Sequence, residues 1–93
     1  MGAAGEGEDE VVRELRQRIT ALDDAIFDTL NRRLELVAEL KRHKDEQGYD
    51  FVDPGRETRM VEEQLARNSG PLSPEGLRRF YAELLALVKR EVR

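Results

Sequence analysis

The sequence predicts an all-α protein with one very long helix and two shorter ones, and three observations predict it. Charged and apolar residues each make up 39% of the 93 residues while aromatics reach only 5%, and no cluster of Val, Ile, Thr and Tyr marks a strand. No Pro or Gly falls between Glu10 and Gln47, so nothing breaks a helix across that stretch. Its apolar residues Leu22, Ile26, Leu30, Leu34, Val37 and Leu40 recur at three-and-four spacing, which an α-helix gathers into one stripe.

Composition narrows the function classes. The chain has no cysteine, which removes disulfides and thiolate metal sites and is compatible with a reducing compartment. No apolar run approaches the roughly 18 residues of a membrane span, and the start lacks the basic and apolar regions of a signal peptide, so a soluble, cytoplasmic protein without membrane contact is expected. Net charge is −4, and Glu6, Glu8, Asp9 and Glu10 account for it, leaving a formally neutral body. The run Lys41-Arg42-His43-Lys44 is too short, and too poor in aromatics, for a nucleic-acid surface. His43 has no second His or paired acid beside it, so no metal site is expected.

Residues 1–8 are Gly- and acid-rich without periodicity and are expected to form a disordered acidic tail, followed by one helical domain over 9–93. The first helix starts near Asp9, with acids at its positive end, carries Leu15, Ile19 and Leu22 on the stripe, and stops at Gly48 after about 38 residues and nearly 60 Å. Asp53-Pro54 starts a second helix with a cap residue and a proline at the first helical position. It places Met60, Val61 and Leu65 inward and ends near Asn68, before Ser69-Gly70-Pro71. Ser73-Pro74 repeats the start signal for a third helix, with Leu77, Phe80, Tyr81, Leu84, Leu85 and Val88 on its apolar side.

Two cations break the long stripe. Arg33 follows Ile26 by seven residues and Lys44 follows Val37 by seven, so both point where a core residue is expected, about 16 Å apart along the axis. A cation in such a place needs an anion, either a carboxylate of the protein or a negatively charged ligand. The shorter helices span only about 22 and 28 Å, so half of the long stripe stays in water unless a second chain covers it. Arg16 lies about 25 Å from Arg33 along the axis. To share a small-molecule site with Arg33 it must come from another chain.

Leu15-Arg16 with Ile19 and Asp23, then Arg32-Arg33, Lys44, and Asp53-Pro54-Gly55-Arg56-Glu57, in this order and at these intervals, resemble the all-helical (type II) chorismate mutases. The resemblance covers Val11 to the C-terminus. It implies an intertwined homodimer of three-helix chains with two identical sites. The implied activity is the rearrangement of chorismate to prephenate in phenylalanine and tyrosine biosynthesis, an isomerase reaction without cofactor. Such a step needs no nucleophile and no proton transfer; the protein's work is to hold a flexible dianion in its compact shape and to meet the charge that develops on the ether oxygen.

Carried onto this chain, the resemblance implies that Arg33 and Arg16 of the second chain clamp the two carboxylates, with Arg56 adding positive potential. Lys44 donates to the ether oxygen and a carboxylate, while the Asp53 backbone and the Glu57 side chain hold the ring hydroxyl. The third helix departs from the family pattern. Val88 and Val92 stand where a small hydroxyl residue and a Gln or Glu are usual, which leaves Val88 an apolar wall and makes Glu91, as a neutral acid, the candidate second donor to the ether oxygen.

Each residue has an ordinary reading beside this one. Arg16 suits a solvated helix face, Lys44 the negative end of a helix, Asp53 an N-cap and Glu57 a first-turn acid, and Arg33 can extend its head to water. Their joint spacing favours the site. Two other functions fit the same chain: a relative acting on an amino-substituted chorismate or isochorismate, and a non-catalytic helical dimerisation or regulatory module. A partner enzyme of the aromatic pathway is a further possible associate.

Overall fold

A computed structural model describes residues 9–93; the expected tail over residues 1–8 lies outside the described residues. All regular structure among them is α-helical: α1 (Glu10–Gln47), α2 (Pro54–Arg67) and α3 (Pro74–Glu91). The backbone divides into two compact units, the first ending at Arg33 and the second running from Leu34 to Arg93.

The helix boundaries follow the chemistry of their ends. Asp9 Oδ1 accepts from the Val11 N–H at 2.8 Å, meeting one of the free donors of the first turn. At the other end Gly48 adopts φ of 73°, a conformation open to glycine without steric cost. There the Gly48 N–H reaches the Asp45 carbonyl at 3.3 Å and the Tyr49 N–H the Lys44 carbonyl at 2.8 Å, the paired bonds of a Schellman stop. For α2, Asp53 Oδ1 accepts from the Arg56 N–H at 3.1 Å. For α3, Ser73 Oγ accepts from the Gly76 N–H at 3.0 Å. Proline occupies the start of both helices, where its missing N–H costs nothing. In the turn between them, Asn68 Nδ2 donates to the Leu72 carbonyl at 2.7 Å.

Burial is concentrated in the second unit. Leu77, Val88 and Val92 are its buried apolar residues, with Met60, Val61 and Leu65 of α2 and Tyr81, Leu84 and Leu85 of α3 half-buried beside them in the sequence pattern. Phe80, expected on the apolar side of α3, is 62% exposed. Phe80 lies on a part of α3 that α2 leaves uncovered. In the first unit no described residue is buried, and Leu15, Ile19, Leu22, Ile26 and Phe27 are all exposed. Among the described residues no helix is long and apolar enough to cross a membrane.

Candidate active site

Lys44 sits in the last turn of α1 and is half-buried. The Schellman stop bends the chain back immediately after it, so that Lys44 Nζ donates to the Phe51 carbonyl at 3.1 Å. The Phe51 ring is held in turn by Lys41, whose Nζ lies 5.7 Å from the ring centroid, a cation–π distance. Lys41 also bonds Asp45 Oδ2 at 2.9 Å. These contacts fix the Lys44 ammonium over the connection to α2 and use one of its three donors. Two donors remain for a ligand or water.

Asp53 and Glu57 occupy the start of α2. The Asp53 side chain caps the helix, and its carbonyl accepts the Glu57 N–H at 3.1 Å, so its carboxylate is committed to the backbone. Glu57 is half-buried and pairs through Oε1 with Lys89 Nζ of α3 at 3.5 Å. Arg56 is exposed. Lys44, Arg56 and Glu91 form no hydrogen bond or ion pair with Glu57 among the described residues.

On α3, Val88 is 5% and Val92 9% exposed, and neither offers a polar side-chain atom. Glu91 is exposed in the last turn. In the first unit Arg16 is exposed and Arg33 half-buried. Arg33 Nη1 is fully enclosed and has no hydrogen-bond partner among the described residues, although a buried donor left unsatisfied is costly, more so on a charged group.

Sequence reading missed two contributors to this arrangement. Lys89 pairs with an acid 32 positions earlier in the chain, and its signal was a cation directly after the apolar position Val88. Phe51 serves through its backbone carbonyl, for which side-chain patterns give no signal.

These features are those of an all-α chain whose second unit holds a half-buried lysine and a half-buried acid, each fixed by a bond within that unit. The chain matches the chorismate mutase type II family over residues 15–92 and belongs to it. The solved chorismate mutase of Thermus thermophilus is similar in both its forms. Form I gives a TM-score of 0.82 at 30% identity over 85% of this chain and 99% of that one; form II gives 0.86 at 30% identity over 90% and 97%. A curated relative, the 4-amino-4-deoxychorismate mutase of Streptomyces venezuelae, is 33% identical over 60 residues, 64% of this chain and 57% of that relative's length. The chain thus spans little more than half of the curated relative it matches.

Proposed function

We propose that this protein is a chorismate mutase, an isomerase that converts chorismate to prephenate within a homodimer whose two sites each draw residues from both chains. In the reaction one C–O bond breaks as a C–C bond forms, with no proton or electron exchanged with the protein. The rate comes from selecting the compact conformer of the substrate and from donors aimed at the ether oxygen, where negative charge grows.

The observation that carries this reading is the enclosed Arg33 Nη1 without a hydrogen-bond partner among the described residues. A carboxylate of the substrate relieves that cost, and the planar guanidinium suits it by giving two parallel hydrogen bonds. The partner subunit's Arg16 takes the other carboxylate, and Arg56 raises the local positive potential. Lys44 has two donors beyond its bond to the Phe51 carbonyl, one for the ether oxygen and one for a carboxylate. The ring hydroxyl meets the Asp53 backbone and the Glu57 carboxylate. Val88 supplies an apolar wall, and Glu91 is the candidate for the second contact to the ether oxygen. The dimer is supported by the row of exposed apolar residues from Leu15 to Phe27, a surface larger than single exposed residues account for.

Loss of chorismate absorbance on mixing with the purified protein, with prephenate as product, is the expected result. Absence of turnover with chorismate overturns the assignment. A second reading, a mutase acting on the 4-amino analogue, is favoured by the Streptomyces relative alone, and the same assay run with that compound decides between them.

A further inference from the structure

Glu57 is not a bare acid. Lys89 Nζ lies 3.5 Å from its Oε1, the Lys89 and Glu57 side chains are 48% and 30% exposed, and no other group bonds the carboxylate among the described residues. An ion pair this exposed adds little to stability, so its main consequence is electrostatic: it sets the charge that a ligand meets at Glu57.

On the reading of Glu57 given above, we propose that Lys89 is a specificity-determining residue that favours a ring hydroxyl over a ring amine. The pair Glu57–Lys89 is neutral as a unit yet keeps acceptor capacity, because a carboxylate accepts several hydrogen bonds and Lys89 occupies one oxygen. A hydroxyl needs only that acceptor. An amine at the same ring position is an ammonium at neutral pH, like other aliphatic amines. It gains from a bare carboxylate but meets a second cation here. Specificity then comes from a repulsive element placed beside an attractive one. The three charges are Glu57, Lys89 and the ligand's own group; Arg56, one residue before Glu57, adds to the same bias against a cation.

The sequence makes this pairing from two distant positions. Glu57 is fixed in the first turn of α2 by the Asp53 cap and Pro54. Lys89 follows the buried Val88, so the packing of α3 fixes the stem from which its ammonium reaches Glu57. Lys89 acts through Glu57 and is therefore a positioning residue for charge, with no contact to the reacting bonds.

The test compares chorismate with 4-amino-4-deoxychorismate as substrates of the wild-type protein, Lys89→Gln and Lys89→Arg. Each is measured by kcat/KM or, where turnover is too slow, by the Kd from calorimetry. With ligand and lysine charges about 6 Å apart and the pair open to solvent, at a dielectric close to that of water, Lys89→Gln is expected to shift the chorismate-to-amine preference about threefold toward the amine. Lys89→Arg keeps the charge and is expected to restore the wild-type ratio. A purely structural role moves both substrates together and leaves the ratio fixed. An unchanged ratio in Lys89→Gln, or an equal shift in Lys89→Arg, overturns the proposal. Wild-type protein that turns over neither compound overturns the function proposed above, and the calorimetric ratio then still judges Lys89 by itself.

Discussion

The two halves of the chain use similar sequences to opposite ends. Before Arg33, α1 repeats Leu15, Ile19, Leu22 and Ile26 at helical spacing, and every one is exposed. After Leu34, a comparable density of apolar residues yields Leu77, Val88 and Val92 as a buried set. The same patterning therefore builds a core only where a second element of the chain covers it. On the dimer proposed above, an uncovered stripe of this regularity is sequence information about a surface supplied by another chain. The proposed site residues divide the same way. Lys44, Glu57 and Lys89 are held by bonds within the second unit, whereas Arg16 and Arg33 belong to the first.

The largest expected effect is on the cations. Arg33→Ala and Lys44→Ala are each expected to lower kcat/KM by about 1,000-fold, the scale for a lost preorganised donor. Retention of more than about a tenth of the activity in either, against that scale, shows that its cation serves the helix and not the substrate. Next comes a direct challenge to the contrast between the halves. Ile19→Asp alters a residue that is 56% exposed in the single chain, where a surface substitution changes stability by less than about 0.5 kcal/mol. If a second chain covers it, the loss is about 2–3 kcal/mol, and the melting temperature of the wild-type protein rises with its concentration. Thermal denaturation across a roughly hundredfold concentration range distinguishes the two.

Smaller effects sharpen the account of the second half. Glu91→Ala is expected to lower turnover by about tenfold, less than a fully enclosed donor contributes. Glu91→Gln, whose amide can donate, is expected to keep activity. An unaffected Glu91→Ala removes Glu91 from the site. Gly48→Ala forces a side chain into the positive-φ stop of α1 and is expected to cost about 1 kcal/mol. The expected fall in melting temperature is about 4–8 °C for a domain of this size, read by circular dichroism. Asp53→Ala, which loses the cap, is expected to cost a similar amount.

Local chemistry was the legible part of the sequence. The stop at Gly48 and the starts at Asp53-Pro54 and Ser73-Pro74 are each decided by residues within one turn, and all three appear where the spacing put them. Family membership was legible too, because the order of Arg16, Arg33, Lys44, Asp53, Arg56 and Glu57 is a linear pattern. What could not be read depends on packing between elements. The α3 face was drawn by periodicity alone, which placed Phe80 with Leu77 and Val88 although α2 covers only part of that face. The Glu57–Lys89 pair joins residues on two helices, and no local rule selects Lys89 over its neighbour Arg90. The roles of Arg16, Arg33, Lys44, Asp53, Arg56, Glu57, Val88 and Glu91 toward a substrate rest on the resemblance, and the substitutions at Arg16, Arg33, Lys44 and Glu91 test four of them.

The division between the halves makes one claim above the others, that a site is completed only when the first half of one chain meets the second chain. Complementation tests it most directly. Arg16→Ala and Arg33→Ala proteins, each nearly inactive alone, are mixed in equal amounts, unfolded and refolded, and heterodimer formation is verified by mass. About half of the dimers are then mixed, each with one intact site of two, so recovery of about a quarter of wild-type activity is expected for a two-fold symmetric dimer. Activity that stays at the level of the separate variants, with heterodimers present, contradicts a site shared between chains.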